Sequence, residues 1–326
     1  MKMDSKNRGG TKSAVQRTKL TRGLTKQKSQ TRFKSIVVSI DFSETSIKAL
    51  DYALTLAKEF GSQIHLVNVL EFPAVFNSTS QPSYALWDKE AKKVAASRIA
   101  ELIEEEVDEM ISVTSEVRFG RAYKIICETA AEQKADLILI GTHGFTGLKH
   151  LLLGSTAERV IRHAPCSVLV VRKQTNRNAK AILKPRNLLV PTDFSKPAEQ
   201  ALQSAAALAQ QYQAKIHLLY VVPSHYAVGE YGGLDYAMLA TEEKEMGQKK
   251  LAAINKRLLA KKISVSTQIQ QGRPAVEINE AAAELDCDLI VISTHGRTGW
   301  SRMTLGSTAE EVVRHSSCPV LVVKNL

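Results

Sequence analysis

Residues 137–158 read LILIGTHGFTGLKHLLLGSTAE, and residues 289–310 repeat this stretch as LIVISTHGRTGWSRMTLGSTAE. The offset between the two copies is 152 residues, and it also relates Asp41-Phe-Ser to Asp193-Phe-Ser. A repeat of this length is the size of a domain, whereas solenoid repeats have periods of roughly 20–50 residues. The sequence therefore predicts a tandem pair of similar domains.

The domain boundaries follow from the extent of the repeat and from composition. We expect a basic tail at residues 1–32, a first domain at 33–172, a polar and basic linker at 173–184, and a second domain at 185–326. A chain of 326 residues has the length of two domains. Each copy is long enough to bury a core of its own.

The order of apolar segments indicates the fold class. The run Ser35–Ile40 is rich in β-branched residues, which is typical of a strand covered on both faces. Strand and helix patterns then alternate through both copies, with five strands in each. This order predicts an α/β fold with a parallel sheet and helices on both faces. Such sheets bind ligands beyond the carboxyl ends of their strands, so Asp41 and Gly141, which both follow strands, should lie close together.

The net charge of +11 belongs to one end of the chain. Residues 1–34 contain eleven Lys and Arg and one acidic residue, Asp4, so the rest of the chain is close to neutral. We predict a disordered tail, since this composition offers little to bury. Three roles stay open for it: a solvated extension or an over-long gene start, an arm for nucleic acid or anionic surfaces, and an organelle transit peptide.

Cysteine usage and hydropathy predict a cytoplasmic protein. The four cysteines form no CxxC pair and have no zinc-site spacing, and all lie within or beside apolar runs. Reduced, buried cysteines of this kind are typical of the cytosol. The tail lacks the apolar segment of a secretory signal, and no run approaches the roughly 20 apolar residues of a membrane helix.

The glycine-rich loop carries the chemistry. Glycines let backbone N–H groups approach a phosphate closely, and the helix predicted after Gly154 would present free N–H groups and a partial positive charge. Ser155 with Glu158, and Ser307 with Glu310, match the Ser-x-x-Glu capping box. Taken alone, the glycines also fit simple turns and caps. Asp41 favours a nucleotide, because its carboxylate can accept hydrogen bonds from ribose or adenine.

The combined motifs resemble the universal stress protein family. They comprise Gly-x2-Gly-x9-Gly-Ser, Asp-Phe-Ser-Glu after the first strand, and a closing Cys-x-Val-Leu-Val-Val, and they cover nearly everything after residue 33. The resemblance implies a Rossmann-like fold of the adenine nucleotide alpha-hydrolase type, often paired through its last strand, and membership of the branch that binds ATP, with or without Mg²⁺. It implies these ligand contacts: Asp41 and the Val69 backbone for adenine and ribose; Gly141, Gly144, Gly154, Ser155 and the Thr156 amide for the phosphates; and Asp193, Val221, Gly296, Gly306 and Ser307 in copy two.

Copy two departs from the motif at Ser293, which stands where copy one has Gly141. A Cβ at a point of close approach, or at positive φ, could cost on the order of 1 kcal/mol or more. We therefore expect copy one to be the better nucleotide site. Two alternatives stay open: copy two binds weakly or only supports the fold, or both copies bind.

The leading hypothesis from the sequence is an ATP-binding stress-response sensor or regulator. His143 and His295 lie in the loops without a partner at a defined spacing, so no catalytic triad or metal site can be assigned. The chain has no GxxxxGK[ST] loop, so we expect at most weak ATP hydrolysis. The alternatives are a slow ATPase or nucleotidyl-transferring enzyme, and an interaction module whose tail binds nucleic acid.

The apolar last strands of the two copies predict how the domains meet. We expect Val168–Val171 to pair antiparallel with Val320–Val323 about a pseudo-two-fold axis, because this covers two exposed edges. A homodimer of the whole chain also stays open.

Overall fold

The computed structural model describes residues 33–71, 81–142, 153–172, 184–224, 233–296 and 305–324. The predicted tail at 1–32, nearly all of the predicted linker, His143 and Gly144 lie outside these residues. In the part of the chain that is described, no helix has the length and apolar content needed to cross a membrane.

Strands and helices alternate in both halves, as the apolar pattern predicts. The first half contains β1 (Ser35–Ser39), α1 (Glu44–Phe60), β2 (Gln63–Leu70), α2 (Gln81–Glu106), β3 (Val113–Phe119), α3 (Ala122–Glu132), β4 (Leu137–Gly141), α4 (Ser155–His163) and β5 (Ser167–Val171). The second half contains β6 (Asn187–Pro191), α5 (Lys196–Tyr212), β7 (Lys215–Pro223), α6 (Gly233–Ala260), β8 (Val265–Gly272), α7 (Pro274–Glu284), β9 (Leu289–Ser293), α8 (Ser307–His315) and β10 (Val320–Val323).

One element begins earlier than its sequence indicates. Prolines and small polar residues predict a loop over 71–86 and a helix over 88–110, whereas α2 begins at Gln81 and ends at Glu106. Pro82 is the second residue of this helix. The first turn of a helix tolerates proline because its N–H groups have no partner within the helix. The prediction of a loop at 81–86 is therefore wrong.

All ten strands form one sheet in the order β3-β2-β1-β4-β5-β10-β9-β6-β7-β8. Neighbouring strands within each half are parallel, and β5 pairs antiparallel with β10. In that pairing Leu321 lies opposite Leu169, and the flanking valines pair around them. The predicted antiparallel contact is confirmed, and it covers two apolar edges that would otherwise be exposed.

The core crosses the junction between the halves on both faces of the sheet. Leu169 and Leu321 belong to the cluster beneath α1, α2, α5 and α6. Val170 and Val320 belong to the cluster beneath α3, α4, α7 and α8. The two halves are therefore joined by a continuous apolar interior, in addition to the backbone ladder.

Each half also supplies a cation to a helix of the other half. Lys324, which follows β10, donates from Nζ to the carbonyls of Arg162 (3.0 Å) and Ala164 (2.6 Å), at the end of α4. Arg172, which follows β5, donates to the carbonyls of Val313 (2.8 Å) and Arg314, at the end of α8. A cation stabilises the carbonyl end of a helix, so this reciprocal contact fastens each half to the other.

His217 is expected to make the fold sensitive to acid. Its ring nitrogens lie 3.0 Å from the Ser266 hydroxyl and 3.3 Å from the Asn187 side-chain oxygen. Burial, and then the charge of Lys215, lower the pKa of this imidazole below its ordinary 6.5. Because the unfolded chain then takes up the proton first as the pH falls, this contribution to stability is complete above about pH 6.5 and is lost on acidification.

We predict that the free energy of unfolding decreases as the pH falls from about 6.5 to 5, and that His217→Gln makes this decrease shallower. Urea unfolding of wild type and variant at several pH values measures both slopes. Parallel slopes would contradict the assignment to His217.

Candidate functional site

The order of the strands places one crevice in each half. β1 lies between β2 and β4, and β6 lies between β7 and β9, so the strand order reverses beside these two strands. At such a reversal the loops after neighbouring strands diverge to opposite faces of the sheet and leave a cleft at the carboxyl ends. Both copies of the repeat thus have the geometry of a ligand site at the same edge.

The copy-one crevice encloses a cavity of about 170 Å³. The copy-two crevice encloses about 380 Å³, which lies within the usual range for small-molecule sites, about 300–1,000 Å³. The structure brings together most of the residues that the sequence assigns to a ligand. The copy-one cavity is lined by Asp41, Val69, Gly141, Gly154, Ser155 and Thr156, and the copy-two cavity by Asp193, Val221, Gly296, Gly306 and Ser307.

A turn directly after β1 holds the Asp41 carboxylate. Oδ1 of Asp41 accepts hydrogen bonds from the backbone N–H (3.0 Å) and the hydroxyl (2.5 Å) of Ser43. The Ser43 side chain in turn caps α1 by accepting from the Ser46 N–H. In copy two, Oδ1 of Asp193 accepts from the Ser195 N–H at 3.0 Å. Each carboxylate is therefore oriented by the start of the helix that follows it.

Phe42 and Phe194, between the aspartate and the serine of each turn, adopt left-handed backbone conformations with φ of 62° and 64°. Such values are unusual for a bulky residue and need support from the surroundings. The Arg98 guanidinium lies 3.9 Å from the centre of the Phe42 ring, and the Lys250 ammonium 5.1 Å from that of Phe194. These cations come from equivalent positions of α2 and α6 and stabilise the turn. Sequence reasoning missed this support, although Asp-Phe-Ser occurs in both copies.

The backbone of Val69 points into the copy-one crevice. In a strand, the N–H and C=O groups of alternate residues point to opposite neighbours. The Val67 carbonyl accepts from Ile40 on the side of β1, and the Leu70 carbonyl accepts from Gly120 on the side of β3. Val69 therefore directs its N–H and C=O past the end of β1, above Asp41. Val221 has the same geometry, since the Leu219 carbonyl accepts from Thr192.

The helices α4 and α8 begin at the crevices. Gly154 and Gly306 are their N-cap residues, and a glycine has no side chain with which to cap the helix. The first intrahelical hydrogen bond is donated by Glu158 in α4 and by Glu310 in α8. The N–H groups of Ser155 and Thr156 therefore come before the hydrogen-bonded part of α4, where an anion is favoured.

The predicted capping boxes are wrong. Ser155 and Ser307 are the first residues of the helices and not the N-caps, so their hydroxyls do not bond the N–H three residues on. Glu158 and Glu310 turn towards arginines instead. Glu158 lies 3.2 Å from Arg162 and 3.6 Å from Arg314, and Glu310 lies 3.0 Å from Arg314 and 3.5 Å from Arg162. This four-charge cluster links α4 to α8.

Gly141 has a packing role that the sequence does not show. Its φ is not in the left-handed region, but a Cβ there would lie 2.5 Å from Oγ1 and 2.8 Å from Cβ of Thr45 in α1. The glycine thus permits α1 to pack closely on β4. In copy two the residue equivalent to Thr45 is Pro197, and Ser293 donates from its hydroxyl to the His295 carbonyl at 2.9 Å. Positive φ therefore gives no argument against Ser293. Ser293 lines the copy-two cavity, and the effect of its Cβ on phosphate binding stays a prediction.

His295 places a buried ring nitrogen at the copy-two cavity that could bond to a ligand. Its Nδ1 lies 2.9 Å from the Thr294 hydroxyl, whereas Nε2 is buried without a hydrogen-bond partner among the described residues. The backbone of Gly296 runs close to the Asp193 carboxylate, since a Cβ there would lie 2.6 Å from Oδ2. An unpaired buried nitrogen beside a helix N-terminus fits a ligand that carries polar or anionic groups.

The four cysteines are not activated as nucleophiles. Burial raises the pKa of Cys166 and Cys287 to about 12 and that of Cys127 and Cys318 to about 11, so these thiols stay protonated at neutral pH. Among the described residues, no group of three or more His, Cys, Asp or Glu side chains could hold a metal ion.

Comparison with known proteins identifies the family. The universal stress protein family profile matches residues 32–172 and 184–324, so the chain belongs to that family. A universal stress protein of Mycobacterium tuberculosis is 27% identical over 296 residues, which cover 89% of this chain and 96% of that protein. A universal stress protein of Methanocaldococcus jannaschii is 35% identical over 148 residues, which cover 45% of this chain and 86% of that protein.

A solved structure of a universal stress protein shows the same architecture. A universal stress protein of Archaeoglobus fulgidus superposes with a TM-score of 0.65 over 90% of this chain and 98% of its own, at 23% identity. A universal stress protein in complex with cAMP is 26% identical and matches 43% of this chain and 98% of its own, with a TM-score of 0.30.

Proposed function

We propose that this protein binds ATP in both crevices and acts as a stress-response regulator that senses the nucleotide. The observation that carries the proposal is the convergence, twice in one chain, of an oriented carboxylate, a backbone edge and a helix N-terminus. The proposal includes copy two because its cavity is the larger one, and the expected preference for copy one stays a prediction.

The end of each crevice near β2 or β7 suits adenosine. The N–H and C=O groups of Val69 form an edge of one donor and one acceptor. Adenine presents the complementary pair, a ring nitrogen that accepts and an amino group that donates. Asp41 lies on the same cavity and can accept hydrogen bonds from ribose hydroxyls. Val221 and Asp193 are arranged in the same way in copy two.

The other end of each crevice suits the phosphates. The N-termini of α4 and α8 offer backbone N–H groups and the positive end of a helix dipole, which together favour a phosphate. Gly144, assigned to the phosphates by the family resemblance, lies outside the described residues, and it remains part of the proposed site.

The test is ATP binding to the full chain by isothermal titration calorimetry. We predict two sites, and we expect Asp41→Asn and Asp193→Asn each to weaken one site by about 10- to 100-fold, because a hydrogen bond to a charged group contributes about 1.5–3 kcal/mol. Asp108→Asn, which removes an exposed carboxylate that pairs with Lys58, is the matched control and should leave both sites unchanged.

Two results would reject the proposal: no heat of binding with ATP at millimolar concentration, or three variants that all bind ATP with the affinities of the wild-type chain. Phosphate release from bound ATP above the uncatalysed rate would favour the slow-ATPase alternative over a regulator. Nucleic-acid binding that falls steeply with salt and disappears on deletion of residues 1–34 would instead favour an interaction module.

A further inference from the structure

The ten-stranded sheet has two outer edges, and they differ in chemistry. β3 ends the sheet in the first half, and β8 ends it in the second. The strands occupy equivalent positions of the repeat, and no other strand of the described residues pairs with the outer side of either. An unpaired edge exposes backbone groups that can pair with another chain, and proteins usually protect it with charges, prolines or bulges.

The register with β7 shows which groups of β8 face outward. The Ile216 N–H donates to the Ser264 carbonyl, and the Ser224 N–H donates to the Gly272 carbonyl. Even-numbered residues of β8 therefore direct their backbone towards β7. Because the direction alternates along a strand, the N–H and C=O groups of four residues point away from the sheet. These residues are Val265, Thr267, Ile269 and Gln271.

The β3 edge carries a network of charges. Arg118 lies 3.1 Å from Glu132, 3.5 Å from Glu128 and 3.8 Å from Glu116. Glu116 also accepts a hydrogen bond from the Thr129 hydroxyl at 2.7 Å. Charged side chains along an edge strand oppose its pairing with a further strand, because pairing would desolvate them.

The β8 strand itself lacks these charges, although Glu280 and Glu284 of α7 stand at the positions of Glu128 and Glu132. Its sequence, VSTQIQQG, contains no charged residue and no proline. At the repeat offset of 152 residues, Gln268 and Gln270 replace Glu116 and Arg118, and Ala281 replaces Thr129. The second half has thus lost, on its edge strand, the charges that the first half keeps on an equivalent strand.

We infer that β8 is an interface between two copies of this chain and that it pairs antiparallel with β8 of the second copy. A neutral strand meets itself without repulsion, and the sheet is already extended in this way where β5 meets β10. The register that uses all four outward residues has its two-fold axis at Gln268, with Thr267 opposite Ile269 and Val265 opposite Gln271. In this register the two Gln268 side chains lie next to each other.

The test places charges on that axis. The wild-type chain forms a dimer in sedimentation equilibrium at tens of micromolar. Gln268→Glu and Gln268→Lys are each monomeric, because like charges directly opposite each other destabilise a strand pair. Mixing these two variants restores the dimer, because opposite charges then meet. Gln268 is exposed, so its replacement should not unfold the protein. Circular dichroism verifies that each variant is folded.

Gln271→Glu is the matched control. It makes the same chemical change at another exposed glutamine of β8, but it places the charge opposite Val265 and not opposite itself. This variant forms a dimer that is weaker than that of the wild type but stronger than that of Gln268→Glu, because its charge is desolvated without meeting a like charge. A monomeric wild-type chain, a dimer that survives Gln268→Glu, or a mixture of the two charged variants that stays monomeric overturns the inference.

Discussion

Leu321→Asp is expected to lower the free energy of unfolding by about 4 kcal/mol. Leu321 is 3% exposed and lies opposite Leu169 in the only antiparallel pairing that the described strands make. The new carboxylate would lose its hydration without gaining a cation, because the surrounding cluster is apolar on that face of the sheet. Urea unfolding, followed by circular dichroism, measures the loss.

Leu259→Asp is the control for this prediction, since Leu259 lies in α6 with 55% of its side chain exposed. The same exchange there should change stability by no more than about 0.5 kcal/mol. Equal losses in both variants would show that the β5–β10 junction does not hold the halves together.

Gly141→Ser is expected to destabilise the protein by about 2–3 kcal/mol, although serine is the natural residue at the equivalent position of copy two. The added Cβ would meet the Thr45 side chain and, at 3.0 Å, the Thr45 backbone carbon, so α1 must shift. Because α1 also orients Asp41 through Ser43, the same variant should also lose affinity for ATP at the proposed copy-one site. Unfolding and calorimetric titration of one preparation measure both effects.

Thr45→Pro in the Gly141→Ser background is the matched rescue. It reproduces the pair of copy two, in which Ser293 accompanies Pro197 in the first turn of α5. Thr45 lies in the first turn of α1, where proline costs little. We expect part of the lost stability to return, because proline removes Oγ1, the nearest atom, and keeps the Cβ and the backbone carbon. A double variant as unstable as the single one would show that Thr45 is not the obstacle.

The fold could be predicted in outline because its signals are local. β-branched runs, helical periodicity and the repeat identify each strand and helix, and the predicted strand pairing at residues 168–171 is confirmed. The start of α2 could not be predicted, because a proline in a first turn resembles a proline in a loop.

The candidate site was predicted in part. Its residues converge as expected, since parallel strands deliver their carboxyl ends to one edge. The capping-box role assigned to Ser155 was wrong, and the packing of Gly141 against Thr45 was missed, because a turn motif does not reveal which neighbour occupies the space beside it. The support of Phe42 by Arg98 joins residues far apart in the chain, and no local pattern predicts such a contact.

The chain alone therefore specifies its duplicated α/β pattern, its family and the position of the two crevices, because these follow from periodicity and from the ends of strands. Three-dimensional packing specifies why Gly141 is glycine, which cations hold α4 and α8, and which outer edge is left without charge. Those features depend on residues far apart in the chain meeting in space, as Lys324 Nζ meets the Ala164 carbonyl.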